Sequence, residues 1–392
     1  MIESASATGR RNESPWPGRG GVSARARSIL VAIHFAAIAA SGCAGPGSSA
    51  PAAHRAVSVG SGVAARPIAV DTATEDRILA LAPERISERE VADLLARVPA
   101  PRIICLDGSV PIVTMRPFAE FLVAMGFPEA SIRNPKNGTY SESSWGESRR
   151  LAGMLAWYYE REGMMPILIG HSQGGMLAIK VLYDLAGASG DRIAVWNPLT
   201  DRPEQRFTIV DPLTGVERPV VGLRVGYAAA IATGNTPRML LGEWDILPKL
   251  RKIPDTVEEF AGFFVEWDLI AGTFPGTDPF RASGSATVRT VVLPADYGHI
   301  TLPLTAHLAA NPATRAWISE YAPAPALPPL PAGPDVDATN IVHAAEIWYS
   351  IKRHWCLEEQ RLIRAKRAAL RGGTIRTTGP TQGREDARAV EQ

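Results

Sequence analysis

Apolar and polar positions change their period repeatedly along this chain. Short apolar runs rich in β-branched residues predict strands, and longer segments with apolar residues at helical spacing predict helices between them. The predicted strands are 102–106, 166–169, 192–196, 238–241 and 288–293, and the predicted helices include 117–125, 147–162 and 174–186. This alternation predicts an α/β fold, with a mostly parallel central sheet flanked by helices.

Three segments need their own interpretation. Residues 197–236 hold two β-like runs around a Pro/Gly turn, and we predict a cap or lid inserted before the acid-bearing strand. A helix is predicted from Asp255, because Phe260, Phe263, Phe264 and Trp267 follow helical spacing; core packing is the favoured role and an acyl pocket the alternative. Near the carboxyl terminus, one apolar helix face predicts docking on the domain, with a membrane surface as the alternative for its tryptophans; the face consists of Ile341, Ala344, Trp348, Ile351 and Trp355.

The amino terminus has the composition of an export signal. Residues 22–28 are basic, residues 29–40 are apolar, and small residues then lead to Cys43. The apolar run is shorter than the ~20 residues that span a bilayer. The pattern resembles a bacterial lipoprotein signal, which implies lipidation of Cys43 and membrane attachment through that lipid. Cleavage and release without a lipid is the alternative, so we expect the protein in the cell envelope, in the periplasm or secreted.

Composition narrows the classes of partner. The 392 residues are 46% hydrophobic, as expected of a globular protein with a large core. A net charge of +1 gives no indication of nucleic-acid binding. Cys105 and Cys356 are isolated in sequence, which favours buried free thiols over a disulfide.

The predicted organisation is a leader and signal (1–42), a flexible tether (43–65), the α/β domain (66–322), a Pro-rich linker (323–335), a helix (336–370) and a disordered tail (371–392).

The strongest chemical signal is Gly170-His171-Ser172-Gln173-Gly174, between a predicted strand and a predicted helix. This is the G-x-S-x-G pattern of a nucleophile elbow, a sharp turn that exposes the serine hydroxyl. Side chains at Gly170 and Gly174 would collide with their neighbours in such a turn. The alternative interpretation is a glycine-rich turn with an incidental serine.

With its GHSQGG turn, the chain resembles the α/β-hydrolase-fold serine hydrolases, bacterial lipases and esterases in particular. That resemblance implies a triad in the chain order serine, acid, histidine. Asp245 follows a predicted strand and Gly242, so it is the predicted acid; Glu243, Asp268 and Asp278 are rivals. His299 follows the last predicted strand and is the predicted base.

The resemblance also implies an oxyanion hole. Its donors would be the backbone N–H of Gln173 and one from Ser109 or Val110, in the loop after the first strand. Asp107 stands where many relatives have histidine, so the details of this loop are expected to differ. We expect hydrolysis of a small-molecule ester through an acyl-enzyme, with no cofactor or metal. Peptidase, thioesterase and acyltransferase activities, or a non-catalytic binding protein, remain alternatives, and the oligomeric state is open.

Overall fold

The computed structural model describes residues 70–109, 113–234 and 246–376. Within these residues, five parallel strands form the central sheet: β1 (Ile103–Leu106), β2 (Ile167–His171), β3 (Val225–Ile231), β4 (Val257–Val265) and β5 (Thr287–Leu293). Their spatial order is β1-β2-β3-β4-β5, and every neighbouring pair is parallel. The predicted α/β architecture with a parallel sheet is confirmed.

Helices cover both faces of this sheet. They are α1 (Thr72–Leu79), α2 (Glu88–Asp93), α3 (Arg116–Ala124), α4 (Ser148–Glu162), α5 (Gln173–Leu185), α6 (Ala306–Ala310), α7 (Pro312–Glu320) and α8 (Ile341–Arg376). Successive strand residues point to opposite faces. Ile167 and Ile169 therefore share one core with α3 and α8, whereas Leu168 lies in a second core with α4 and α5.

Short elements connect these layers. Single 3₁₀ turns lie at Pro83–Arg85, Leu95–Arg97, Glu129–Ser131, Leu247–Lys249 and His299–Thr301. In the part of the chain that the structure describes, three pairs of short strands lie outside the central sheet: Trp196–Asn197 with Arg202–Pro203, Thr208–Val210 with Glu217–Pro219, and Lys252–Ile253 with Arg281–Ala282.

The segment predicted as an insertion differs from expectation. Its last part is β3, which lies between β2 and β4 in the sheet. The remainder lies along α4: Tyr159 donates a hydrogen bond to Asp211 over 3.0 Å, and Arg206 pairs with Glu160. The predicted strand 192–196 is also wrong, because only Trp196 belongs to a strand, a short antiparallel one outside the sheet. The predicted strand 238–241 lies outside the described residues.

The helix predicted around Phe260 and Phe263 is wrong as well, because these residues belong to β4. A central strand buried on both faces is apolar at nearly every position, so the alternation that marks a half-buried strand is lost. Phe260 and Phe263 pack into opposite cores, and Phe264 is also buried. The role in core packing is therefore confirmed for the phenylalanines, while Trp267 lies exposed beyond the strand.

The carboxyl-terminal helix docks on the domain as predicted. All five residues of its predicted apolar face are buried, and Trp355 donates a hydrogen bond to the carbonyl of Pro99 over 2.9 Å. The linker before it lies on α7, where Trp317 donates to the carbonyl of Pro329. No helix among the described residues is both long enough and apolar enough to cross a membrane. Cys105 and Cys356 are buried free thiols, as predicted.

Candidate active site

Ser172 lies in a strained turn between β2 and α5. Its backbone has φ 52° and ψ −114°, a region that residues with a side chain rarely occupy. Its N–H donates to the carbonyl of Ile231 over 2.7 Å, and its own carbonyl accepts from the Thr233 hydroxyl over 3.1 Å. Both bonds fix the turn against the end of β3. The predicted elbow is present, with the serine just beyond the carboxyl end of its strand.

The two flanking glycines allow this turn to close. A Cβ on Gly170 would lie 2.2 Å from the carbonyl carbon of Gly174, and a Cβ on Gly174 would lie 2.3 Å from the carbonyl oxygen of Leu106. Both distances are far inside van der Waals contact with backbone atoms, which cannot move aside without breaking the turn. The predicted steric role of Gly170 and Gly174 is confirmed.

His299 lies within hydrogen-bond distance of Ser172. The histidine opens the 3₁₀ turn His299–Thr301, shortly after the end of β5. Its Nε2 is 3.0 Å from Ser172 Oγ, and its Nδ1 is 2.6 Å from Asp268 Oδ2. The Nδ1–H donates to the carboxylate, so Nε2 carries a lone pair and accepts the hydroxyl proton of Ser172. The structure thus brings Ser172 and His299 together as predicted.

The carboxylate that contacts His299 is not the one that the sequence favoured. Asp268, three residues after the end of β4, occupies the position at His299 Nδ1 that the sequence assigned to Asp245. Asp245 lies outside the described residues, and so does its rival Glu243. Asp278 pairs instead with Arg281. The sequence favoured Asp245 over Asp268 because β3 was assigned to the insertion and β4 to a helix, which removed the strand that Asp268 follows.

A local signal for Asp268 was present in the sequence. Its side-chain Oδ1 accepts the backbone N–H groups of Ile270 and Ala271, each over 3.0 Å. Aspartate side chains commonly form such turns with the backbone that follows them. Burial raises the pKa of Asp268, but the hydrogen bond from His299 and the two backbone N–H groups outweigh it, so the pKa is lowered overall. Asp268 is therefore an anion beside the imidazole at neutral pH.

His171 adjoins the nucleophile in sequence and bonds to the backbone of the turn that carries His299. Its Nε2–H donates to the backbone carbonyl of His299 over 2.8 Å. Burial, with a smaller contribution from the neighbouring His299, lowers the pKa of His171 to about 3. The side chain is consequently a neutral hydrogen-bond donor that links the elbow to the His299–Thr301 turn. We call this turn, with the residues up to Leu304, the histidine turn.

The predicted oxyanion donors lie on two elements that meet at the elbow. Gln173 is buried and begins α5, where the first N–H groups of a helix have no intrahelical partner. Ser109 lies in the loop after β1. Next to it, the carbonyl of Gly108 accepts from the buried Ser144 hydroxyl over 3.0 Å, and the carboxylate of Asp107 accepts from Met115 N–H over 2.7 Å. These bonds hold the loop beside the elbow; Val110 lies outside the described residues.

Exposed apolar residues lie close in sequence to Asp268 and His299, and Trp145 follows Ser144, whose carbonyl accepts from the Gln173 side chain over 3.5 Å. Ser172 is only 4% exposed, but Trp267 and Leu269, on either side of Asp268, are 65% and 74% exposed. Ile300 follows His299 directly and is also exposed. We call this group the apolar rim: Trp145, Trp267, Leu269, Ile270, Phe274, Ile300 and Leu304. Ser172 is thus nearly buried, while the residues of the apolar rim expose hydrocarbon to water.

Comparison of the chain with protein-family models gives no match, and comparison with curated protein sequences gives none either. Among the residues that the structure describes, no cluster of three or more histidine, cysteine or acidic side chains has the arrangement to hold a metal ion.

Proposed function

We propose that this protein is a serine hydrolase of the α/β-hydrolase type that cleaves carboxylic esters. The observation that carries the proposal is the continuous hydrogen-bonded line from Ser172 Oγ through His299 to Asp268, with distances of 3.0 and 2.6 Å. The three residues follow the carboxyl ends of three different parallel strands and occur in the order serine, acid, histidine. This is the geometry that activates a hydroxyl as a nucleophile.

The proposed reaction proceeds in two halves. His299 Nε2 takes the Ser172 proton while Oγ forms a bond to the ester carbonyl carbon, and Asp268 stabilises the imidazolium. The carbonyl oxygen becomes an anion that the N–H of Gln173 and the loop after β1 would stabilise. The bond to the alcohol then breaks, and the alcohol takes the proton from His299. Water repeats these steps on the acyl-enzyme, releases the acid and restores Ser172.

The apolar rim supports esters with apolar acyl or alkyl groups as substrates. An ester carbonyl at Ser172 would have its substituents directed across Leu269 and its neighbours, where hydrocarbon is removed from water. Each buried methylene contributes about 0.8 kcal/mol. The rim therefore favours esters over peptides, which carry polar N–H and C=O groups on both sides of the scissile bond.

A panel of p-nitrophenyl esters from acetyl to palmitoyl tests this proposal. We expect kcat/KM to rise with acyl length in the wild type, and Ser172→Ala to be inactive throughout. Leu269→Ser should lower kcat/KM for long acyl chains by about 3- to 10-fold and leave acetyl ester hydrolysis nearly unchanged. Val210→Ser, at an exposed apolar residue of similar size on the strand pair along α4, is the matched control. If the folded Ser172→Ala variant hydrolysed the esters as fast as the wild type, the proposal would be contradicted.

Export to the cell envelope through a lipid on Cys43 is also part of this proposal. Its support is the basic and apolar pattern of residues 22–43, all of which lie outside the described residues. Cys43→Ser should move the protein from the membrane fraction to the soluble fraction. Unchanged fractionation would leave simple cleavage, or no export, as the explanation.

A further inference from the structure

The turn that carries His299 is held by side chains from outside it. A single 3₁₀ turn leaves most of its backbone carbonyls without intrahelical partners; that of Thr301 also accepts from Leu304 N–H over 2.9 Å. The carbonyl of His299 accepts from His171 Nε2–H over 2.8 Å, and that of Leu302 accepts from His343 Nε2–H over 3.0 Å. The side-chain amide of Asn340 donates to the carbonyls of Thr301, over 2.8 Å, and Leu304, over 3.1 Å. Four carbonyls of one short segment thus receive side-chain donors.

Three of these four bonds come from the start of α8, which lies beyond the Pro-rich linker. Asn340 immediately precedes this helix and is 1% exposed. Its φ is 68°, in the left-handed region that asparagine enters more readily than other residues with a Cβ. In that conformation its amide lies between the two carbonyls. The backbone conformation and the two hydrogen bonds therefore support each other.

His343 lies in the first turn of α8 and is fully buried. Its ring contacts Tyr297 and Phe263 edge-on, with centroid distances of 6.1 and 6.3 Å. Burial lowers the pKa of His343 to about 4, so the ring is neutral at pH 7 and keeps one N–H. Because that N–H is on Nε2, His343 is a fixed donor to the histidine turn.

We propose that the first turn of α8 is part of the active-site scaffold, with Asn340 and His343 as positioning residues that hold the His299 turn in reach of Ser172 and Asp268. This inference rests on the proposed function, because it assigns a role in that reaction. A displacement of about 1 Å in a catalytic group can lower a rate 10²-fold, so the four carbonyl contacts bear directly on turnover. The carboxyl-terminal helix is thus more than an external support for the domain.

The test uses two buried amides on or next to the same helix. Gln360, in the middle of α8, also donates to two backbone carbonyls, those of Ile78 and Leu81, each over 3.0 Å. It is 4% exposed; the two carbonyls lie in α1 and the residues after it, and its own side-chain oxygen accepts from Arg364 over 3.1 Å. Asn340→Asp and Gln360→Glu make the same chemical change at the two positions. Asn340→Gly, which suits a φ of 68°, removes the donors without introducing a buried charge.

Two measurements separate positioning from general stability. With a short ester, we expect Asn340→Asp and Asn340→Gly to lower kcat by about 10- to 100-fold and to change KM by less than about 3-fold. NMR of ¹⁵N-histidine-labelled protein should show a shifted or faster-exchanging His299 Nδ1 proton in both variants. Gln360→Glu should leave kcat and the His299 Nδ1 proton unchanged, even if its melting temperature falls as much as that of the Asn340 variants.

The outcomes distinguish this inference from the proposed function. If both Asn340 variants fold and retain kcat within 2-fold and an unchanged His299 proton, the positioning role is wrong, whatever the protein hydrolyses. An equal kcat loss and proton shift in Gln360→Glu would also overturn it. If the wild type hydrolyses no ester but the proton still responds to Asn340 and not to Gln360, the positioning contact stands and the ester hydrolase proposal fails.

Discussion

Strand β4 places a buried carboxylate near each of its ends, and the two have different surroundings. Glu259, near the amino end, is 3% exposed and bonds to His354 Nε2 over 3.0 Å. It also accepts from Ser350 Oγ and pairs with Arg289 and Arg353. Asp268, beyond the carboxyl end, bonds to a single side chain in the site, that of His299, and otherwise to backbone N–H groups.

The difference lies in the order of the groups. At Glu259 the serine hydroxyl donates directly to the carboxylate, and the surrounding cations neutralise a charge that links β4, β5 and α8. Burial raises the pKa of Glu259, but the bonds from His354, Arg289 and Ser350 outweigh it and lower the pKa to about 2. At Asp268 the imidazole lies between carboxylate and hydroxyl, so a proton can leave the hydroxyl and remain stabilised. A carboxylate, a histidine and a serine therefore form a catalytic set only in that order.

The largest contrast in turnover is expected between variants that lack the hydroxyl of Ser172 and variants that lack the hydroxyl of Ser350. Ser172→Ala should lower ester turnover by about 10⁴-fold or more, because the nucleophile is lost. Ser350→Ala should leave kcat within about 2-fold and lower the free energy of unfolding by roughly 2 kcal/mol, because Ser350 donates to Glu259 and accepts from Arg289. Steady-state kinetics and urea unfolding of both variants measure these effects. Similar turnover in the two variants would remove the functional distinction between the clusters.

The acid is tested by a second pair of variants. Asp268→Asn should lower kcat by about 10³- to 10⁴-fold with the fold retained, because the imidazole loses its tautomer control and its counter-charge. Asp245→Asn, the substitution at the residue that the sequence first indicated, should change kcat by less than about 3-fold. Circular dichroism provides the check on folding. A large loss in Asp245→Asn with near-normal activity in Asp268→Asn would reverse the assignment.

Glu259→Gln should act on stability instead of turnover. Breaking a buried ion pair from one side costs about 3 kcal/mol of unfolding free energy at pH 7. The folded-state pKa of about 2 is below the ordinary glutamate value of 4.5, so this contribution is present above pH 4.5 and is lost as the pH falls toward 2. Urea unfolding at several pH values should show the gap between wild type and variant narrowing over that interval. A gap independent of pH would mean that the charge of Glu259 does not stabilise the fold.

The smallest effect on stability is expected at a third buried carboxylate, that of Glu359. Among the described residues, neither carboxylate oxygen of Glu359 has a hydrogen-bond partner, and burial, then nearby Glu358 and Glu75, raise its pKa to about 8. The unfolded state ionises above pH 4.5, so the folded state loses stability between pH 4.5 and 8. Glu359→Gln should therefore be more stable than wild type by roughly 1 to 2 kcal/mol at pH 8, with little difference at pH 4.5. Thermal unfolding at both pH values measures it.

Sequence and structure agree best where the determinants are local. The elbow needs Gly170, Ser172 and Gly174 within five residues, and α2 begins at a capping box whose members, Ser87 and Glu90, lie three residues apart. The position of His299 after a strand of clear β-branched pattern was predictable in the same way. In each case neighbouring residues determine the local backbone.

The identity of the acid depends on which strands lie side by side in the sheet. Local patterns of apolar residues indicated those strands poorly. β3 is rich in small residues, and β4 is apolar on both faces, so neither shows the alternation of a half-buried strand. The contacts of Asn340 and His343 with the histidine turn are of the same kind. Helix α8 was predicted from its apolar face, but the spacing of polar residues in sequence does not show which carbonyls they meet.

The central claim is that Ser172 is a nucleophile activated by His299 and Asp268. It is tested most directly by treating the folded protein with a fluorophosphonate and mapping the adduct by mass spectrometry. We expect one adduct per chain, on Ser172, with labelling absent in Ser172→Ala and strongly slowed in Asp268→Asn. No adduct on the folded wild type, or an adduct on a different residue, would contradict the claim.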